Sequence, residues 1–417
     1  MKAEKLAEWV EHASGGQGLA QGASELHFPT TRDERWRYTR ARAIVGRPMR
    51  PAAAGGQAPD NRPLPCLDAW RLVFVDGHFD PANSTLPGAD DLAEGVFIGP
   101  VSEGSKRFPE QASYWGRGHF SKTEWFAALQ SSSAQDGACI LVPAHLDLSS
   151  RPILIEHHLS GPGIVSHPRN ILHIQQGAKA EILLWTSSDV RADGLVNLAL
   201  DARIEADAEL KLEYVQDEQG RNAHISHLAI TQLEGSRLDM HTATARAHWL
   251  RNDVRIEQIG ERGVSNFNGC FAAAEDEFVD HHTHVDHAQP DGRSSELYKG
   301  LALAGGKAVF NGKIVVRPNA QRIEAFQKNS NILLERGSTV YAKPELEIYA
   351  DDVRCSHGCT TGQFDEDALF YMRSRGLPEP AAKRLLTQAF LSEALNGARS
   401  EVRAHVEAVM LTRINPA

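Results

Sequence analysis

Long apolar runs are missing from this chain. Nothing in its 417 residues approaches the ~20 apolar positions that a bilayer-crossing helix needs, so no membrane span is expected. Met1 to Val10 is charged and amphipathic and lacks the apolar stretch of a secretory signal. Cysteine is scarce: Cys66, Cys139, Cys270, Cys355 and Cys359 are five in number, odd and scattered, which excludes a disulfide framework and suits reduced thiols in the cytoplasm. There is no excess of positive charge. The 44 Lys and Arg face 54 Asp and Glu, a net charge of −10, which disfavours a broad nucleic-acid surface. Phosphate-binding and nucleophile motifs are also missing. No Walker A loop, strand-bound GxGxxG or GxSxG elbow occurs, so catalysis of ATP hydrolysis is not expected of this chain.

What is present suffices for a folded protein of two or three domains' length. Hydrophobic residues make up 41 % and charged residues 24 %, close to ordinary globular values. Residues 1–45 read as helical, with Leu6, Trp9 and Val10 at helical spacing and a second charged run from Asp33 to Ala43. A Pro/Gly-rich stretch near 46–65 reads as a linker or long loop, and 1–136 as a helical and mixed N-terminal region. Within it, Leu72 to Val75 followed by Asp76-Gly77 predicts a strand entering a tight turn, and Thr123 to Gln130 a short helix.

From about 137 to 360 short alternating segments take over: Ile153 to Glu156, Ala180 to Trp185, Leu210 to Val215, Val254 to Glu257 and Lys313 to Val316. A turn followed by an apolar strand recurs at Gly177-Ala178, Ala206-Asp207, Gly235-Ser236 and Gly263-Val264, at spacings of 29, 29 and 28 residues, with looser turns at Gly305-Gly306 and Gly337-Ser338. A mainly β, stacked solenoid with two or three strands per period suits this pattern, and a β-sandwich is the alternative. Residues 361–417 read as a C-terminal helical subdomain. Asp365 to Asp367 place acids in a first turn, Gly376 closes that helix, and Pro380 opens a second. The second carries a stripe of Leu385, Leu386, Ala389, Phe390 and Ala394 and is closed by Gly397, and a last helix spans Arg399 to Thr412.

Three sets of residues could carry chemistry. Cys355 and His357, two apart on a strand, share a face and are iron-compatible ligands, but two donors do not close a site. Read plainly, they are a strand-end Cys and a hydrogen-bonded His. The run His281 to His287 places His282, His284 and Asp286 on one face, as a metal site would. Consecutive same-face strand residues are ~6.5–7 Å apart, which favours a polar ladder. Asp351 and Asp352 invite an acid–base reading, yet adjacent strand residues point to opposite faces, so a turn role fits better. Cys359 reads as a small buried residue.

The run PELEIYADDVRCSHGCTTG, then FYMRSRGL at Phe370 to Leu377, together with Phe310-Asn311-Gly312-Lys313-Ile314, Gln327 to Leu334 and the histidine-rich run, resembles the SufB/SufD family over roughly residues 150–395. The SufD branch fits better than SufB, since no Cys-rich N-terminal motif is seen. The resemblance implies a right-handed parallel β-helix core and a non-catalytic scaffold for iron–sulfur cluster assembly. It implies pairing with SufB, with each protein holding a subunit of the SufC ATPase, and a homodimer as the form open to the isolated chain. It places Cys355 and His357 near the SufB–SufD interface, with a nascent cluster or iron held transiently by the complex and none held tightly by the chain alone. The helices between Asp365 and Leu395 would dock SufC, with Phe370, Arg373, Arg375, Leu385 and Phe390 as candidate contacts. The residues by themselves also leave open a β-helix enzyme acting on acidic polysaccharide and a stand-alone metal-binding protein centred on 281–287.

Overall fold

The computed structural model describes residues 3–19, 26–59, 63–88, 93–109 and 119–414. Its centre is a β-solenoid of about eight turns. Each full coil gives one strand to each of two sheets. One sheet takes Ile153–Leu159, Lys179–Ser188, Glu209–Glu218, Arg237–Arg246, Val264–Ala273, Arg293–Ala302, Ile323–Leu333 and Val353–Gly362 in spatial order. The other takes Arg169–Ile174, Leu195–Ile204, Ala223–Gln232, Trp249–Gln258, Phe278–His287, Lys307–Val316 and Thr339–Ile348. All these strands pair in parallel with their neighbours in the stack, on both sides except at the last strand of each sheet.

The period has a backbone cause. His145, Gly177, Asp207, Gly235, Arg262, Asp291 and Arg322 all take positive φ, between 57° and 63°. At each, the backbone N–H donates to a carbonyl of the next coil's corner: Gly177 to Ala206, Asp207 to Glu234, Gly235 to Glu261, and on to Arg322 with Asp352. One left-handed residue per coil turns the chain, and the turns stack. The strained non-Gly positions are supported where charge can help, as in the paired bonds from Arg322 Nε and Nη2 to Asp291, each 2.6 Å. Asp276, Gly305 and Gly337 belong to a second ladder of turns. The irregular spacing in the sequence arises because Gly305-Gly306 and Gly337-Ser338 lie on this second corner, while the four regular turns lie on the first.

Interior side chains form one column, from Trp70, Leu72 and Phe74 through Leu212, Leu228, Phe267 and Phe310 to Ala325 and Ala350. The strand Ile153–Leu159 is buried at every position, as expected where both sheet faces are covered. The outer face of the first sheet carries the C-terminal helices. Leu391, Ala394, Val402, Val406 and Met410 pack on Trp185, Val215, Ala243, Cys270 and Leu301. The outer face of the second carries the N-terminal region, where Trp9, Trp36, Trp125 and Phe126 meet Val165, Leu195 and Ile225.

Several local readings need correction. The run Asp33 to Ala43 is no helix. It forms two single 3-10 turns, Glu34–Trp36 and Ala41–Ala43, because Trp36 and Ala41 are drawn individually onto the sheet face. Helix Ala3–Ala13 is present, while 1–2 and 20–25 of that region lie outside the described residues, as do 60–62 of the Pro/Gly-rich stretch. That stretch contributes one short strand, Arg50–Pro51, paired with Ile164–Ser166. In the second C-terminal helix, Glu379–Ala394, the buried stripe is Ala382, Thr387, Leu391 and Ala394. Leu385 and Ala389 face outward, since packing on the flat sheet selects the other side of the helix. The Asp76-Gly77 turn stands as read: both residues have positive φ, and His78–Phe79 returns antiparallel to Trp70–Val75.

Candidate functional site at the open end of the solenoid

The two sheets end together. Thr339–Ile348 pairs only with Lys307–Val316, and Val353–Gly362 only with Ile323–Leu333. The outer edge of each strand has no partner among the described residues. In Val353–Gly362 only Val353 and Cys355 are even half-buried. A solenoid end without a cap exposes both a row of backbone groups and the apolar interior. Here that interior rim is Val340, Leu346, Val353 and Cys355, with Phe326, Tyr341, Ile348 and Tyr349 exposed close by in the chain.

Register decides which way the last strand's side chains point. Cys355 pairs with Ala325, His357 with Gln327, Cys359 with Asn329 and Thr361 with Asn331. Partners in a parallel ladder share a face, and Ala325, Gln327, Asn329 and Asn331 are buried in the solenoid interior. Cys355, His357 and Cys359 therefore lie in sequence on the interior face of the last coil. His357 and Cys359 are exposed because no coil covers them. Burial, partly offset by a hydrogen bond with the Ala325 backbone, raises the Cys355 thiol above the ordinary range, and burial raises Cys359 as well. The reading of Cys359 as a small buried residue fails. Its Sγ lies 3.5 Å from Asn329 Oδ1, and one more coil would be needed to bury it.

Beneath this face the interior turns polar. Gln327 Nε2 donates to Glu296 Oε2 at 2.6 Å, and Thr283 Oγ1 donates to Glu296 Oε1 at 2.7 Å. Burial pushes the Glu296 carboxyl up to about 7, against the hydrogen bonds from Thr283 and Gln327. Asn329 and Asn331 bond to each other, and Tyr298 Oη accepts from Thr242 at 2.9 Å. The two facing glycines make room. A Cβ on Gly312 would lie 2.3 Å from Gln327 Nε2, and one on Gly300 would lie 2.4 Å from Asn331 Oδ1. Glu296 was not singled out from the sequence, because nothing local marks a residue whose partners are 13 and 31 positions away.

The histidine run is split as the alternation predicts. His281 is interior, with Nε2 3.1 Å from Thr244 Oγ1, and His287 is 2.9 Å from Ser294 Oγ. His282 faces outward, 2.9 Å from Asp280 Oδ1, beside Arg251. Asp286 is held by Arg317 at 2.7 Å, and burial pushes His284 down to about 3. Among the described residues no group of three or more His, Cys, Asp or Glu is arranged to hold a metal ion. Asp351 and Asp352 sit in the turn before the last strand, where the Asp352 carbonyl accepts from Arg322 and its N–H donates to Gln321 Oε1 at 2.9 Å.

Of the helical candidates, Phe370 is 72 % and Leu385 44 % exposed. Arg375 stacks on Tyr371, 5.1 Å from the ring centre, and Arg373 lies 3.6 Å from Glu379. Phe390 is engaged within the chain, under Lys299 at 4.4 Å. The helix Glu366–Ser374 that bears Phe370 is capped by Asp365, whose side chain accepts from Asp367 and Ala368 N–H. It buries only Leu369.

Residues 157–390 match the family described as SUF system FeS cluster assembly, SufBD core domain. The chain belongs to that family. It is 28 % identical over 402 residues to the iron-sulfur cluster assembly protein SufD of Escherichia coli (strain K12), covering 95 % of this chain and 91 % of that protein. It is 29 % identical over 393 residues to an iron-sulfur cluster assembly SufBD family protein of Synechocystis, covering 91 % and 86 %. With the chloroplastic protein ABCI7 of Arabidopsis thaliana it shares 27 % over 400 residues, covering 92 % and 83 %. SufBD membership ties the chain to SUF iron–sulfur cluster assembly, and the matched span takes in nearly all of the solenoid, its open end, the first C-terminal helix and most of the second. Among the described residues no helix is long and apolar enough to cross a membrane.

Proposed function

We propose that the chain is a SufD-type scaffold subunit, working without catalysis of its own in the cytoplasm, whose uncapped solenoid end pairs with SufB. The observation that carries this reading is the last strand: an unpaired edge whose interior face presents Cys355 and His357 and leaves the coil above them to be supplied by another chain. A partner solenoid meeting that edge would satisfy its backbone groups, cover the apolar rim, and add donors to a thiol and an imidazole that are too few to close a site alone. Iron or a nascent cluster, the cargo, would be held at that seam. The exposed Phe370 and Leu385, with Arg373 and Arg375 beside Phe370, form the surface offered to SufC.

The test is Cys355→Ser and His357→Ala, made singly and co-expressed with SufB and SufC. Each is expected to lower the iron content and cluster yield of the purified complex. Unchanged yield in both variants would remove the direct role of this face.

A further inference from the structure

Three ladder positions on the first sheet are occupied in succession by Glu296, Gln327 and His357. Below Glu296 the same ladder continues through Phe267 and Met240, both buried and apolar. The column therefore changes from apolar to polar in its last three coils, and only in the direction of the open end.

The Gln327 amide has a defined orientation. An ionised carboxylate only accepts, so at pH 8, above the value of about 7 to which burial pushes Glu296, its Oε2 receives the NH2 of Gln327, at 2.6 Å. The amide oxygen is left on the other side. Gln327 is 3 % exposed, and its Oε1 is buried with no hydrogen-bond partner among the described residues. A buried carbonyl without a donor is destabilising. The next rung above it, ~4.8 Å away along the hydrogen-bonding direction, is His357. Gly312 reinforces the arrangement, since any Cβ there would strike the Gln327 amide nitrogen.

We propose that Gln327, oriented by Glu296, is the positioning residue for His357, its unpartnered Oε1 being the acceptor that one ring N–H reaches when the exposed imidazole rotates down onto it. This leaves the other ring nitrogen, with its lone pair, directed away from the solenoid interior. A metal-binding histidine generally has its second nitrogen tied down in this way, and loss of the tie costs about 10–100-fold in affinity or activity. The inference rests on the assembly reading of His357 for its purpose, but the hydrogen bond itself can be measured without it.

The full chain labelled with nitrogen-15 in histidine is compared at pH 8 with Glu296→Gln and Gln327→Met, with His357 assigned by its loss in His357→Ala. Glu296→Gln is isosteric and frees Gln327 to present either end of its amide, so it is the variant in which the fold is kept. The expected result is that the His357 ring nitrogens shift toward a free tautomer mixture in both variants, while the melting temperature of Glu296→Gln stays that of the parent. Unmoved His357 nitrogens in Glu296→Gln overturn the proposal. In the co-expressed complex, Glu296→Gln is expected to lower cluster yield about tenfold, with no further loss when combined with His357→Ala. If the nitrogens move while His357→Ala leaves yield intact, the positioning stands and the assembly role falls. If His357→Ala lowers yield and Glu296→Gln changes neither measurement, the positioning falls alone.

Discussion

His405 Nε2 lies 2.8 Å from Asp217 Oδ2, joining the last helix to the outer face of a mid-solenoid strand across 188 positions of sequence. Arg246 bonds the same carboxylate from the next coil. Burial opposes ionisation of Asp217, but the bonds from His405 and Arg246 outweigh it and hold the group below the usual carboxylate range. Asp217→Ala leaves Arg246 and His405 without their shared acceptor. It is expected to destabilise the fold by about 1–3 kcal/mol and to raise amide exchange first in Ser400–Ile414. Uniform exchange across the chain would show that the helix is not held here.

The buried histidines set an acid limit. Burial lowers His157, His167, His227 and His287 to about 4 and His281 to about 3, below the ordinary 6.5. A group whose folded value is depressed in this way favours the fold above 6.5. It withdraws that support as pH falls toward the folded value, at up to about 1.4 kcal/mol per pH unit for each group. Urea midpoints should therefore fall steeply between pH 6.5 and 4. His281→Gln should make the fall shallower. A midpoint flat over that range would contradict neutral burial.

Glycines along the coils separate into two kinds. A Cβ on Gly306 would stand 2.1 Å from the Ala273 carbonyl oxygen, whereas one on Gly362 would meet nothing within 4 Å. Gly306→Ala must push coils apart and is expected to cost about 1–3 kcal/mol. Gly362→Ala, on the open edge, should be within about 0.5 kcal/mol of the parent. Chemical denaturation of the two variants makes the comparison.

Arg251 is fully buried on the outer face of the second sheet, bonded to Asp253 and Asp280 at 2.9 Å and lying 4.1 Å over the Trp36 ring. Arg251→Met takes the guanidinium from two buried carboxylates, leaving Asp253 with Arg35 at 2.8 Å and Asp280 with Thr39 and His282. A loss of about 3–5 kcal/mol is expected, with the N-terminal region around Trp36 released to protease before the solenoid.

Thiol reactivity reads the open end. Burial pushes Cys139 and Cys270 up to about 12, so neither should alkylate in the folded chain at pH 7.5. Cys355 and Cys359 should react slowly at that pH, and faster as pH rises and thiolate forms. On the proposed reading, in which SufB covers the end, adding SufB should protect both while exposed Cys66 remains reactive. Equal labelling with and without SufB would place the partner elsewhere.

Much of this molecule is determined by sequence alone. One residue per coil must turn the chain at positive φ, and glycine or aspartate at Gly177, Asp207 and Gly235 announces it. Acids at Asp365 to Asp367 and Pro380 mark helix starts because helix ends leave backbone groups unpaired. Alternation alone assigns His281 and His282 to opposite faces. Tertiary structure decided the rest. Whether Cys359 is buried depends on a further coil, absent among the described residues. Which stripe of Glu379–Ala394 is covered depends on the flat sheet beneath it. That Glu296, Gln327 and His357 share one column depends on rung pairing between residues about one coil apart, and contacts at that separation leave no local periodicity for a sequence to display.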